Sequence, residues 1–258
     1  MKMRGVRSLR EMTRLLDTDQ RLRRLCLIKT AEKSYSRSVL SRFIRKVGET
    51  RLINIIDEKV VKLSKQNSAG EIDSIFDASF VDAWSTRDPL DNRRGYSDRE
   101  ARVGRTGRSF GLGYKLHLAI DSATMLPLAC TFASANQNEQ KHSLNLLDKT
   151  KLILKQSEAK LRSVIADSQY SDGKLRDAVD AAVIPYRSNQ KRGVKGLLRV
   201  DKNFRAYGPE EQKKEYHKRP HVEAVYSFLK TQYSLTVNKV RAYATSLHTR
   251  SSAFYVWF

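Results

Sequence analysis

The chain has little cysteine: Cys26 and Cys130 are the only two among 258 residues. They stand far apart without metal-ligand spacing. That excludes a disulfide framework and a zinc finger, and it fits a reducing compartment. No apolar run approaches the ~20 residues needed to cross a bilayer. The N-terminal stretch MKMRGVRSLREMTRLL is basic but lacks the continuous apolar segment of a secretory signal. A cytoplasmic protein with no membrane partner is therefore expected. There is no internal repeat and no low-complexity tract, so repeat architectures are excluded too. Acidic residues are also scarce, with 28 Asp+Glu against 49 Lys+Arg, a formal net charge of +21. So large an excess goes beyond solubility and points to a polyanionic partner, of which nucleic acid is the commonest. Charge alone also allows a ribosome-associated or nonspecifically basic protein.

What is present supports a folded enzyme-sized chain. Hydrophobic residues make up 40%, enough for a core, and the length suits one large domain with or without a smaller helical one. The positive charge is concentrated. Residues 1–70 carry 18 Lys+Arg and 7 Asp+Glu, and residues 186–219 carry 11 and 4. Both segments are candidate DNA-contact surfaces, which would hold the protein at the nucleoid.

Residues 8–66 read as helices. Leu9, Met12, Leu15 and Leu16 recur at helical spacing, and a second short helix covers roughly Asp19 to Ile28. Ser36 can cap a third, in which Val39, Leu40, Phe43 and Ile44 share a face, and Gly48 stops it. A fourth follows with Leu52, Ile56, Val60 and Leu63 in register. This pattern fits a small all-α domain over 1–70 that reads DNA in a helix-turn-helix-like way or serves dimerisation. A linker at 68–70 leads to a second domain over 71–258.

There the pattern turns to strands. Residues 74–84 are rich in β-branched and aromatic side chains. Residues 85–112 are polar and rich in Arg and Gly, and read as a long loop. YKLHLAID (114–121) alternates with Leu116, Leu118 and Ile120 on one face, and 125–133 returns as a third strand. A helix is predicted from Asn136 to about Gln156, a buried strand at 163–168, a helix from Ser171 to about Ala182, a strand at 183–187 and a last helix after Pro220. Three hairpin-type strands followed by alternating helices and strands describe an α/β fold, a mixed sheet flanked by helices. That is the order of a ribonuclease-H-like fold, and it would also fit other α/β folds.

Asp77 lies inside the first apolar strand, Asp167 at the end of the strand containing Val164 and Ile165, and Glu223 on the helix after the basic segment. A buried charge must be paired or metal-bound. In a ribonuclease-H-like sheet the two aspartates would lie on neighbouring strands, and a helix packed nearby could add the glutamate. Three carboxylates suit hard Mg²⁺ or Mn²⁺, and two such ions can support phosphoryl transfer. Taken singly, each acid reads as an ion-pair partner for an arginine. Together they read as a metal site. Asp82 falls on the opposite face of the strand from Asp77. Asp121 reads as a turn residue, His117 as a polar strand residue, and Glu139 and His142 as helix-start residues.

At this point the sequence resembles the DDE transposases of prokaryotic insertion sequences. Tyr216, Arg219, Glu223 and Lys230 stand as Y-x2-R-x3-E-x6-K in YHKRPHVEAVYSFLK, the spacing of that family's C-terminal motif. FDASFVDAW around Asp77, GYKLHLAID followed by LPLA, SANQNEQKH, and VIADSQYSD around Asp167 match in order. The resemblance covers about residues 75–230. It implies a ribonuclease-H-like catalytic domain that cuts DNA at transposon ends and transfers a strand to target DNA. It also implies Asp77, Asp167 and Glu223 as the catalytic, metal-binding triad holding Mg²⁺ or Mn²⁺ as two ions. Tyr216, Arg219 and Lys230 are the implied contacts to double-stranded DNA, and a homodimer pairs the two ends.

The chain departs from the family pattern in two places. Ser168 and Gln169 follow Asp167 where the family often has lysine and glycine. The last residues read LHTRSSAFYVWF where members continue with apolar helical sequence. The alternative is a truncated, catalytically impaired transposase that acts only by binding transposon ends.

Overall fold

The computed structural model describes residues 6, 8–29, 32–67, 70–107, 109–187, 210 and 212–232. Three helices come first. α1 (Leu9–Thr18) is capped by the Ser8 hydroxyl, which accepts the Glu11 N–H at 3.1 Å. α2 (Gln20–Leu25) starts where the Asp19 carboxylate accepts the N–H groups of Arg21 and Leu22. Both follow the usual logic of satisfying orphan donors at a helix start. α3 (Arg37–Asn67) is two helices joined at Gly48, whose φ of 71° lies in the left-handed region that glycine tolerates. The expected break at Gly48 is therefore present, but the chain continues straight into the next helix. The second half docks through Val60 and Val61, which pack on the core, and through Ser64, whose hydroxyl bonds that of Ser157. Ile56 and Leu63, in register with Val60 in the sequence, remain 49% and 43% exposed.

The sheet comprises β1 (Glu71–Asp82), β2 (Arg102–Thr106), β3 (Ser109–Asp121), β4 (Pro127–Ser134), β5 (Lys160–Ala166) and β6 (Ala181–Val183). β3 runs antiparallel to β1 and β4, while β5 and β6 run parallel to β1. The order β4-β3-β1-β5-β6, three antiparallel strands followed by two parallel ones, is that of a ribonuclease-H-like sheet. β2 is an addition. It pairs the first half of β3 on the same edge that β4 takes further along, because Gly113 pairs both Asp82 of β1 and Arg102 of β2.

Both faces are covered. One carries Phe76, Ala119 and Val164 under α4 (Gln140–Gln156), a 3₁₀ turn (Ser168–Tyr170) and α5 (Gly173–Asp177). The other carries Ile75, Leu116, Leu118, Ile120 and Ile165 under Val222 and Tyr226 of α6 (Pro220–Gln232). The predicted face of Leu116, Leu118 and Ile120 is the one α6 covers. No helix among the described residues is long and apolar enough to cross a membrane.

Three local readings are corrected. Residues 85–112 are not a plain loop. They contain β2, the first residues of β3, and isolated bridges joining Arg87 to Gly95 and Arg94 to Arg102. Their stability comes from pairing with β3, which periodicity cannot reveal. α4 begins at Gln140, not Asn136, because the intervening amides form turns in which Gln137 N–H bonds Ser134 O and Lys141 N–H bonds Asn138 O. α5 stops at Asp177, and the last strand is 181–183, because Ala181 to Val183 are taken up by β5 as a parallel partner. Tertiary pairing there overrides local helix preference.

Gly104 sits where β2 crosses the end of β4. A Cβ there would lie 2.2 Å from the Ala135 carbonyl oxygen, a backbone atom with little freedom to yield. Gly104→Ala is expected to destabilise the protein by about 1–3 kcal/mol, as overpacking does. A urea melt against wild type checks this.

Candidate active site

The parallel pairing of β1 with β5 brings the two aspartates together. Phe76 pairs with Ala166, so the next residues along each strand are Asp77 and Asp167. Strand alternation turns Asp77 to the same face as Ile75, the face covered by α6. Asp167 follows the last residue of β5 and caps the 3₁₀ turn, its Oδ1 accepting the Gln169 N–H at 2.8 Å.

α6 supplies the rest. Arg219 stands just before Pro220, the first residue of the helix. Its Nη2 lies 3.7 Å from Asp77 Oδ1 and 3.7 Å from Glu223 Oε1. One guanidinium thus bridges a strand carboxylate and a helix carboxylate. Its Nε is buried with no hydrogen-bond partner among the described residues. Burial pulls the Arg219 pKa down, but the charges of Asp77 and Asp167, then Tyr216 and Glu223, more than offset this and hold it above its ordinary value. Burial, the largest influence on Asp77, pushes its carboxyl up to about 6; Arg219 opposes the rise, and the neighbouring Asp167 and Glu139 add to it.

Tyr216 is half-buried against the α6-side core, and its carbonyl accepts the Arg219 N–H at 3.0 Å. Lys230 occupies the last turn of α6, half-buried. Among the described residues no ion pair joins it to these carboxylates. The structure therefore groups Asp77, Asp167, Glu223, Arg219 and Tyr216, and leaves Lys230 apart at the far end of the helix. Of the basic 186–219 segment, 188–209 and 211 lie outside the described residues, as does the terminal LHTRSSAFYVWF.

Several anchors set α6 on the sheet. The buried Tyr226 hydroxyl lies 2.8 Å from the carbonyls of Asp77 and Leu116. His221 Nδ1 lies 2.8 Å from Ser122 O. Asp73, four residues before Asp77 and on the same face, is held by Arg162 and by Ser163, with Lys218 Nζ at 3.7 Å. Burial pushes Asp73 up, but the Arg162 and Ser163 hydrogen bonds and the charges of Arg162 and Lys218 win, leaving its carboxyl below the ordinary value. Sequence reading missed Asp73, although an acid inside an apolar strand is the signal that found Asp77. Tyr226→Phe is expected to cost about 1–3 kcal/mol, since a buried carbonyl loses its donor. A shift in the urea midpoint relative to wild type measures it.

The opposite side of the same edge is also polar. Glu139, just before α4, pairs with Lys115 at 3.2 Å and is raised by burial, with Lys115 opposing and Asp167 adding to the rise. His117 is fully buried, its Nδ1 2.8 Å from the Tyr170 hydroxyl and its ring 4.9 Å from that of His142. Burial, then His142 and Lys115, push His117 down to about 3, so it is neutral. Both residues are more deeply set than a polar strand position and a helix start imply. Asp121 does what was expected, its carboxylate accepting from Ala123 N–H and the Thr124 hydroxyl. Asp82 ends β1 exposed.

The family described as "Transposase DDE domain" matches residues 50–249. The chain belongs to the DDE transposases. Two solved structures are similar to the transposase chain. One is described as the Mos1 transposase paired-end complex with left transposon end, at 13% identity, covering 85% of this chain and 78% of that one with a TM-score of 0.26. The other is the Mos1 mariner paired end complex with Mn, at 15% identity, 88% and 80% coverage and a TM-score of 0.25. Likeness at this level carries no weight beside the family match. No curated protein matches the transposase chain.

The same carboxylates are the groups a divalent cation would meet. Among the described residues no three His, Cys, Asp or Glu side chains already stand as a ligand set. The donor set is nonetheless all-oxygen, and the one positive charge bridging two of its members is the Arg219 guanidinium. A site that gathers a cation between buried and helix-borne carboxylates has the charge and ligand type that Mg²⁺ or Mn²⁺ requires.

Proposed function

We propose that this protein catalyses DNA transposition, cutting at transposon ends and transferring the freed 3′ end to target DNA. The observation that carries this reading is the side-by-side placement of Asp77 and Asp167 by strand pairing, with Arg219 and Glu223 of the Y-x2-R-x3-E-x6-K motif laid against Asp77. Asp77, Asp167 and Glu223 would hold Mg²⁺ or Mn²⁺, as two ions. When bound, the metal polarises the scissile phosphate and the attacking oxygen and stabilises the leaving oxygen.

The chain's own groups do the rest. Before DNA arrives, Arg219 offsets the repulsion between Asp77 and Glu223. An entering phosphate competes for the same guanidinium, whose planar fork suits phosphate oxygens. Turning Arg219 onto the phosphate releases both carboxylates as ligands and positions the strand at once. Tyr216 stacks on or hydrogen-bonds DNA near the cut, and Lys230, on the α6 face of Glu223, contacts phosphate further along. Residues 1–70 act in end binding or dimerisation, with 71–258 as the catalytic domain on which the second half of α3 is docked. Two copies pair two ends at the nucleoid.

The test is cleavage of a labelled duplex carrying the gene's own flanking DNA, with Mg²⁺, Mn²⁺ or chelator. Cutting at the element boundary only with metal is the expected result. Tight binding with no cutting in any metal would replace this reading with that of an end-binding protein.

A further inference from the structure

The excursion between β1 and β3 plays no part in the site described above, yet its surface is unusual. Trp84, Tyr96 and Phe110 are exposed at 62%, 65% and 67%, far more than large aromatics are left without a use. Residues 85–112 carry seven arginines and no lysine, whereas the rest of the chain has 20 arginines and 22 lysines. A face that needs only solubility can use either cation. Arginine is preferred where a planar fork must grip phosphate or lie on a ring.

The folding of the excursion gathers these groups. Arg105 pairs directly with Phe110 across the β2–β3 hairpin, so both project from one face. The Arg87 guanidinium donates to the Phe110 carbonyl at 3.2 Å, and Arg87 bridges to Gly95, next to Tyr96. The Arg93 backbone carbonyl accepts the Val103 N–H, so the strands form one small sheet on the β2 edge. The acids here are partly consumed: Asp88 is buried on Arg94, and Asp98 accepts from the Tyr114 hydroxyl. Among the described residues no carboxylate forms an ion pair with Arg87, Arg93, Arg99 or Arg105, all of them exposed.

The position is also suggestive. Asp77 lies midway along β1 and Asp167 just past the end of β5, and β1 runs on from Asp77 to Asp82 straight into this excursion. Five strand residues span roughly 17 Å. The excursion therefore begins within reach of a duplex whose scissile phosphate lies at Asp77.

We propose that the 84–110 excursion is a second DNA-contact surface, with Arg87, Arg93 and Arg105 on phosphates and Phe110, Tyr96 and Trp84 packed against the sugars and bases of the segment beside the cut. The inference rests on DNA being the substrate of the main site. Arginine forks interleaved with exposed rings match a nucleic-acid strand better than a protein partner, which would be expected to bury an apolar centre with fewer charges.

The experiment measures affinity for the boundary duplex as a function of salt. It compares wild type with an Arg87→Ala, Arg93→Ala, Arg105→Ala triple variant and with the matching triple arginine-to-lysine variant, each checked by thermal melt. The alanine variant is expected to bind at least about tenfold more weakly at physiological salt, with a log–log salt slope shallower by roughly 2 to 3, because up to three phosphate contacts are lost. The lysine variant should keep the slope and recover part of the affinity. It also keeps the test alive should the alanine variant fail to fold, since a lysine variant that binds as tightly as wild type would then overturn the arginine-fork argument. A folded alanine variant with wild-type affinity and slope overturns the proposal, as does a defect confined to self-association by sedimentation. If wild type itself binds no DNA, the transposase reading fails first and independently.

Discussion

Asp167→Ala is expected to leave DNA binding close to wild type while lowering metal-dependent cutting by about a thousandfold or more, the rate equivalent of losing several kcal/mol of metal-borne stabilisation. Asp77→Ala and Glu223→Ala should behave alike. The reasoning is geometric. Asp77 and Asp167 each follow the last paired residues, Phe76 and Ala166, of two parallel strands, so removing either leaves one carboxylate where the proposed centre needs two. Glu223 joins from α6 and shares Arg219 with Asp77 at 3.7 Å. None of the three is positively charged, so none should contribute attraction to the DNA backbone, and binding persists. Gel-shift and cleavage measurements on the same protein preparations separate the two effects. A variant that lost binding in step with cutting would point to misfolding or to a different role.

The second large effect concerns stability, and its sign is opposite to that of an acid stabilised by an ion pair. Asp77 is buried and its carboxyl is pushed up to about 6 from an ordinary value of 3.8. A carboxyl whose folded pKa exceeds its unfolded one favours the folded state at low pH. That contribution is complete below about 3.8 and is lost as pH rises through about 6. Above that window the ionised carboxylate burdens the fold. Asp77→Asn removes the burden while keeping the shape. It is expected to be more stable than wild type at pH 8 by up to about 3 kcal/mol, with the advantage vanishing near pH 4. Chemical denaturation at the two pH values, in chelator and without DNA, measures this. An Asn variant that is less stable at pH 8 would mean that the Arg219 pairing outweighs burial. A buried charge retained at a cost to stability is what a functional site looks like in thermodynamic terms.

Much of this site was legible in the sequence because its signals are local. Asp77 between Phe76 and Ala78 is an acid inside an apolar strand, Asp167 closes the apolar run of Val164 and Ile165, and such acids require a reason. Arg219 and Glu223 are four apart, which a helix brings together whatever else it packs against. The face of Leu116, Leu118 and Ile120 followed from alternation alone. What escaped was set by contacts between distant residues. Asp73 meets Arg162 and Ser163 only because β1 and β5 pair, 89 and 90 residues apart. His117 meets Tyr170 across 53 residues. β2 is short and carries Arg and Gly in place of a β-branched run, so it is a strand only because β3 offers it an edge. Amphipathic spacing likewise marked an apolar face on the second half of α3 without specifying that Val60 and Val61 would dock while Ile56 and Leu63 stayed exposed.

The central claim is that Asp77 and Asp167 jointly hold a divalent cation. Electron paramagnetic resonance of Mn²⁺ titrated into the protein bound to its boundary duplex tests it most directly. Wild type should retain Mn²⁺ that both Asp77→Ala and Asp167→Ala release, at equal DNA occupancy. Mn²⁺ held equally by wild type and both variants would place the metal elsewhere and contradict the assignment.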